Sequence, residues 1–180
     1  MIKHLICILL LLIPHEHHSM GPYETNDNND LCKMPRYQHV CIDNLNLTRN
    51  LMPQLTKNIQ EQYIARKQSN LIYVNPMNLL PIQSEISALK VSKIIESIED
   101  NFNGSNDKKN QSICADQNMG ILGAHDNVTN KTYVIDGHHR YAACRLMNQS
   151  IYVHVVHGTP VDILNELNNI EGIVHRSIDQ

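Results

Sequence analysis

The chain has no tryptophan and only one phenylalanine in 180 residues. Single-stranded nucleic acid is held by exposed rings on which bases stack. Seven tyrosines and one phenylalanine leave few rings for such a platform. An excess of basic residues is also missing: 15 Lys and Arg stand against 18 Asp and Glu, for a net charge of -3. The cationic footprint of a nucleic-acid binder is therefore absent at the level of the whole chain. There is no internal repeat, which excludes a solenoid. Past residue 13 no apolar run approaches the ~20 residues that cross a bilayer. What the chain does have is 42% hydrophobic against 18% charged residues, enough to bury a core, and a length suited to one domain. Histidine is in surplus, at 11 residues, which invites a metal reading.

The first 20 residues read as a secretory signal peptide. Lys3 gives a positive start, Leu5 to Ile13 is unbroken and apolar, and Pro14 ends the run. Cleavage is expected near Ser19 to Gly21; an uncleaved anchor is the alternative. Cys7 leaves with the signal, so four cysteines remain: Cys32, Cys41, Cys114 and Cys144. In an oxidising compartment an even number reads as two disulfides. Proximity favours Cys32–Cys41 and leaves Cys114–Cys144, with four reduced thiols as the alternative. Glycosylation sequons begin at Asn46, Asn103, Asn110, Asn127, Asn130 and Asn148. Chance placement would give roughly two. The expected product is a secreted or secretory-lumen glycoprotein with no membrane attachment once the signal is cleaved.

Residues 21–50 are Asn- and Asp-rich and read as polar and partly disordered. Residues 51–70 read as a helical lead-in, with Leu51, Leu55, Ile59 and Tyr63 at i, i+4 spacing. The domain proper spans 71–170, and 171–180 is a polar tail. Within the domain Leu71–Val74 is a short strand stopped by Asn75-Pro76, and Leu79–Gln83 is an extended connector. Ser87 caps a helix running to about Asn101, with Val91, Ile94, Ile95 and Ile98 at helical spacing. Two strands, Gly120–Ala124 and Tyr133–Asp136, form a hairpin. A helix begins near His139, a strand covers Ile151–Val156, and Pro160 opens a helix with Val161, Ile163, Leu164 and Leu167 on one side. The order β, α, hairpin, α, β, α predicts an α+β fold, a small mixed sheet with packed helices.

The informative segment is Tyr133-Val134-Ile135-Asp136-Gly137-His138-His139-Arg140-Tyr141-Ala142-Ala143. A strand runs through a tight glycine into a helix N-terminus, where the first amides find no acceptor inside the helix. Gly137 permits close backbone approach, and His139 and Arg140 add donors at the same place. Together these describe an anion site, most naturally for phosphate. Asp136 stands on its lip as base or metal ligand. The plainer alternative is a helix N-terminus with exposed polar residues. Adjacent histidines rarely both face one metal, and no spaced Cys/His pattern accompanies them, so no dedicated metal site is expected.

Gly137-His138-His139-Arg140-Tyr141-Ala142-Ala143 resembles the Gly-Cys-His-Arg-Tyr-Ala-Ala signature of sulfiredoxin. Asp136 to Arg140 also resembles the box of ParB-like proteins, the ParB-like nuclease family among them. Upstream, Leu80-Pro81-Ile82-Gln83 followed by Lys90-Val91 and Ile94, Ile95 and Ile98 is similar to the opening strand and first helix of that superfamily. The resemblance covers roughly Leu71 to Leu167 and implies a ParB/sulfiredoxin-like fold with a nucleotide site. By that resemblance Gly137, His138, His139 and Arg140 cradle phosphate, with Lys90 reaching it from the first helix and Ser97 adding a hydroxyl. Lys93 departs from the family's serine. The catalytic cysteine of sulfiredoxin aligns with His138, so sulfinic-acid repair is excluded. ParB-fold kinases acting on free serine carry a similar Asp-Gly-His box. In them the aspartate, here Asp136, is the presumed base. Their assisting glutamate falls near Gln83, and Glu85 is the nearest carboxylate. Gln83 itself resembles the nuclease family.

These readings converge on a ligand of ATP, ADP or another small phosphorylated compound, with Mg2+ carried by phosphate. Phosphoryl transfer or phosphodiester hydrolysis follows, with Asp136 and Glu85 as the catalytic carboxylates. A non-catalytic phosphate-binding module is the alternative. ParB-type DNA binding is disfavoured by the acidic balance, the signal peptide and the lack of a helix-turn-helix segment after the box.

Overall fold

A computed structural model describes residues 30–41, 52–103, 112–171 and 173. The signal segment, much of the polar segment, most of the tail and the sequons at Asn46 and Asn110 lie outside the described residues. The chain is a mixed α+β fold around one five-stranded mixed sheet. In chain order the elements are α1 (Lys57–Lys67), β1 (Asn70–Val74), β2 (Leu79–Pro81), α2 (Ala88–Asn103), β3 (Ile121–Asp126), β4 (Lys131–Asp136), α3 (His138–Leu146), β5 (Ile151–His157) and α4 (Pro160–Asn168). The strand order is β1-β5-β3-β4-β2. β1 and β5 are antiparallel, β5 and β3 parallel, β3 and β4 antiparallel, and β4 and β2 parallel.

Three expectations change. The first helix begins at Lys57 rather than Leu51. Thr56 caps it, its hydroxyl accepting from the Ile59 amide at 3.3 Å, and Pro53 disfavours helix just upstream. Leu79–Pro81 is more than a connector: it pairs with β4, Leu79 opposite Thr132 and Pro81 opposite Val134. Proline is tolerated there because β2 is an edge strand. In α4 the inward positions go to Pro160, Ile163, Leu164 and Leu167, while Val161 is 51% exposed on the outer side of the first turn.

Side chains alternate across the sheet and build two cores. Val134, Ile151, Val153 and Val155 face α2 and α3, whose Val91, Ile95, Ile98, Tyr141 and Ala142 are buried against them. Leu122, Ala124, Tyr133, Ile135 and Val156 face the other way, toward Tyr63 of α1 and Ile163, Leu164 and Leu167 of α4. The Tyr63 hydroxyl donates to Glu166 at 2.9 Å and Lys67 to the same carboxylate at 2.7 Å, tying α1 to α4.

Residues 30–41 add to the first core. They form two short 3-10 helices that bury Leu31 and Val40, and the Cys32–Cys41 disulfide closes them. The Leu31 amide donates to the Ile86 carbonyl at 2.7 Å. Asp30 is buried, its carboxylate accepting from the amides of Cys32 and Ile86 at 3.0 Å each. The second disulfide, Cys114–Cys144, joins the segment before β3 to α3. Among the described residues no helix is long and apolar enough to cross a membrane.

Candidate functional site

β4 delivers Asp136 to the end of the sheet where β2 also finishes. Gly137 then turns the chain at φ 91, ψ 26, and α3 starts at His138. That left-handed conformation favours glycine. Space enforces it too: a Cβ on Gly137 would lie 2.5 Å from Cγ2 of Ile121. The tight fit brings the Arg140 guanidinium back over the turn, with Nη2 3.6 Å from where that Cβ would stand.

Arg140 is the unusual group. It is half-buried, and its Nη1 is shielded from solvent without a hydrogen-bond partner among the described residues. Burial lowers its pKa, while the carboxylates of Asp136 and Asp116 pull it up. Asp116 was not foreseen. It caps the short 3-10 helix Gln117–Met119, accepting from the Asn118 amide at 2.9 Å, and its charge reaches the guanidinium. For Asp136, burial pushes the carboxyl up to about 6, against the opposing pull of Arg140 and the Gly137 amide. A carboxylate titrating there can accept a proton near neutral pH.

The two histidines reach across to the β2–α2 connector. Nε2 of His138, which is 3% exposed, accepts from the Ile82 amide at 3.4 Å. Nε2 of His139 accepts from the Ser87 amide at 3.3 Å. An accepting Nε2 requires the neutral Nδ1-protonated tautomer. Both rings therefore clamp backbone, and His139, expected on phosphate, has its Nε2 engaged at the start of α2. Ser87 caps that helix, its hydroxyl accepting from the Lys90 amide at 3.4 Å. The clamp brings the N-termini of α2 and α3 together. Lys90 is exposed on the first turn of α2, and Glu85 is half-buried just before it. Buried Gln83 donates its carboxamide to the Glu85 carbonyl, so it shapes the connector. Lys93 and Ser97 are exposed along α2.

The geometry thus joins Asp136, Gly137 and Arg140 directly, and sets Glu85 and Lys90 on the neighbouring segment held by the histidines. The backbone-clamping role of the histidines, the contact of Asp30 with Ile86 and the pull of Asp116 on Arg140 carry no local signal in the sequence. Each depends on a partner far along the chain. A cavity of about 480 Å³ lies beside this site, lined by Lys57, Gln60, Leu71, Gln117, Asn118 and His154 among others. It includes none of the expected site residues, although Gln117 and Asn118 directly follow Asp116. Among the described residues no group of three His, Cys, Asp or Glu could hold a metal ion. A Mg2+ arriving with phosphate would rest mainly on phosphate oxygens, with Asp136 as a single protein ligand. No protein family and no curated protein matches this chain.

Proposed function

We propose that the β4–α3 turn binds the phosphate of a nucleotide, ATP or ADP, or of a small phosphorylated compound, for phosphoryl transfer or phosphodiester hydrolysis. The observation that carries the reading is Arg140. Its shielded Nη1, unpartnered among the described residues, stands beside a glycine that cannot take a Cβ, at a helix N-terminus. A buried donor left unsatisfied costs about 1–3 kcal/mol, and an anion would relieve that. Guanidinium and helix amides both suit phosphate oxygens. The resemblance of the Asp136–Arg140 box to ParB-like and sulfiredoxin sequences supports the same ligand and a ParB/sulfiredoxin-like fold.

In this reading Asp136 takes the proton from the attacking hydroxyl or water. The new P–O bond forms as the bond to the leaving oxygen breaks, and the leaving group departs with the electron pair. Arg140 holds the charge that gathers on the phosphoryl oxygens. Asp136 would be the protein group to hold a Mg2+ brought by phosphate, which would supply further charge neutralisation. Glu85 and Lys90, on the adjoining connector and helix, are the second carboxylate and second cation. Sulfinic-acid repair is no part of the proposal, because position 138 has no thiol and Cys144 is in a disulfide. A binding-only module is the second reading, favoured by the commitment of both histidines to backbone amides. The leading apolar run, the two disulfides and the exposed sequon residues Asn127, Asn130 and Asn148 support a secreted glycoprotein.

Thermal melts with ADP and ATP, with and without Mg2+, test the site. Wild type should gain stability with ligand and Arg140→Ala should not. An equal gain in both proteins removes the phosphate reading. If binding survives in Asp136→Asn while product formation stops, the protein is an enzyme. If wild type binds but forms no product, it is a module.

A further inference from the structure

The two edges of the sheet are unequal. β2 is three residues long, contains Pro81 and leads at once into the clamped connector. β1 is five residues long, antiparallel to β5 on one side and, among the described residues, without a strand on the other. An open edge presents unpaired N–H and C=O groups, and proteins usually guard it with charge, proline or a bulge. Asn70–Val74 has none of these: no charged residue, no proline and an unbroken register with β5. Its middle is apolar and exposed, with Leu71 at 41%, Ile72 at 37% and Tyr73 at 52%. Met77, just past the strand, is 59% exposed. The preceding cation, Lys67, is paired with Glu166.

We infer that β1 is a homodimer edge, pairing antiparallel with β1 of a second copy of this chain about a two-fold axis at Ile72. A second copy fits because the strand complements itself. Antiparallel self-pairing sets like residues near like, and an uncharged strand incurs no like-charge repulsion. The register follows from geometry. Directly opposed residues share a sheet face, so a two-fold normal to the sheet must pass at a residue and not between two. Ile72 is the centre that keeps all five residues in the ladder. It opposes Ile72 to Ile72, Leu71 to Tyr73 and Asn70 to Val74. Tyr73 already stacks on Tyr152 at 4.6 Å between ring centres, which holds it ready to cover the incoming Leu71. The product is a continuous sheet across the dimer. A five-residue ladder is short, so the dimer forms in proportion to concentration.

Sedimentation of the full secreted chain over a concentration series tests this. Wild type should rise toward twice the monomer mass. Ile72→Lys and Tyr73→Lys should stay monomeric with unchanged melting temperature. Ile72→Cys probes the register. Opposed Cα atoms in such a ladder are about 4.5–5.5 Å apart, within reach of a disulfide. A 72–72 cross-linked peptide is expected on non-reducing mass mapping. Asn70→Cys should give none, because its counterpart is displaced by roughly 13 Å along the strand. A wild-type monomer at every concentration overturns the inference. So does a dimer that survives both lysine variants, or an Ile72→Cys protein that fails to cross-link.

Discussion

Asp136 and Arg140 face each other in a site that discourages charge, and Asp136 shows the cost in its titration. Unfolded, it titrates near 3.8; folded, burial lifts it to about 6. Between those values the folded state holds the proton more tightly, so stability falls as pH rises from about 4 to about 6, then levels off. Asparagine cannot titrate. In Asp136→Asn the stability gap to wild type should therefore move in the variant's favour across that window, by up to about 3 kcal/mol. Denaturant melts at stepped pH read this slope whatever the constant offset between the two proteins. A gap independent of pH would mean that Asp136 titrates normally. Gly137 makes a second prediction at this scale. Gly137→Ala must accept φ 91 and a 2.5 Å approach to Ile121, and should lose about 2–5 kcal/mol. Ile121→Ala removes the Cγ2 contact but keeps its own Cβ 2.9 Å away and opens a cavity in the core. The double variant should therefore lose less than the sum of the two single losses, a coupling that a double-mutant cycle of denaturant melts can measure. The need for glycine was legible in the sequence as a strand running into a helix. Ile121 as the obstacle was not, because it lies on another strand.

At the scale of elements, local pattern carried α2 well. Its Ser87 cap and its buried positions Val91, Ile95 and Ile98 follow from spacing alone, because a helix makes its contacts within a turn. The β3–β4 hairpin was readable for the same reason. β2 was not, since a three-residue strand is defined by its neighbour rather than by any periodicity of its own. The disulfides show the same contrast. Cys32 and Cys41 are separated by 9 residues and could be paired by proximity, which left Cys114 and Cys144, separated by 30. Closing the longer loop removes more freedom from the unfolded chain. Replacing Cys114 and Cys144 together by serine should cost about 1 kcal/mol more than replacing Cys32 and Cys41, before any loss from burying hydroxyls. Alanine pairs avoid that added loss, and denaturant titration of the two double variants makes the comparison.

For the whole molecule, the site and the described sequons at Asn127, Asn130 and Asn148 fall at opposite ends. Asn127 and Asn130 occupy the β3–β4 turn, at the far end of the strand that delivers Asp136. Asn148 follows the C-terminus of α3, whose N-terminus carries the box. Glycans there would leave the phosphate site open. Glycosidase treatment of secreted protein should lower its intact mass while leaving the ADP-induced melting shift unchanged; a shift that grows on trimming would put sugar near the site. Sequence patterns were enough for α2, the hairpin, the Cys32–Cys41 pairing and a strand–glycine–helix turn with an arginine, because each depends on residues close together along the chain. The remainder awaited the fold. β5 enters between β1 and β3, antiparallel to the first and parallel to the second, residues 30–41 dock on Ile86, the two histidines hold the β2–α2 connector, and Asp116 adds its charge beside Arg140. Each of these joins residues distant in sequence, and such contacts leave no periodicity in the chain to read.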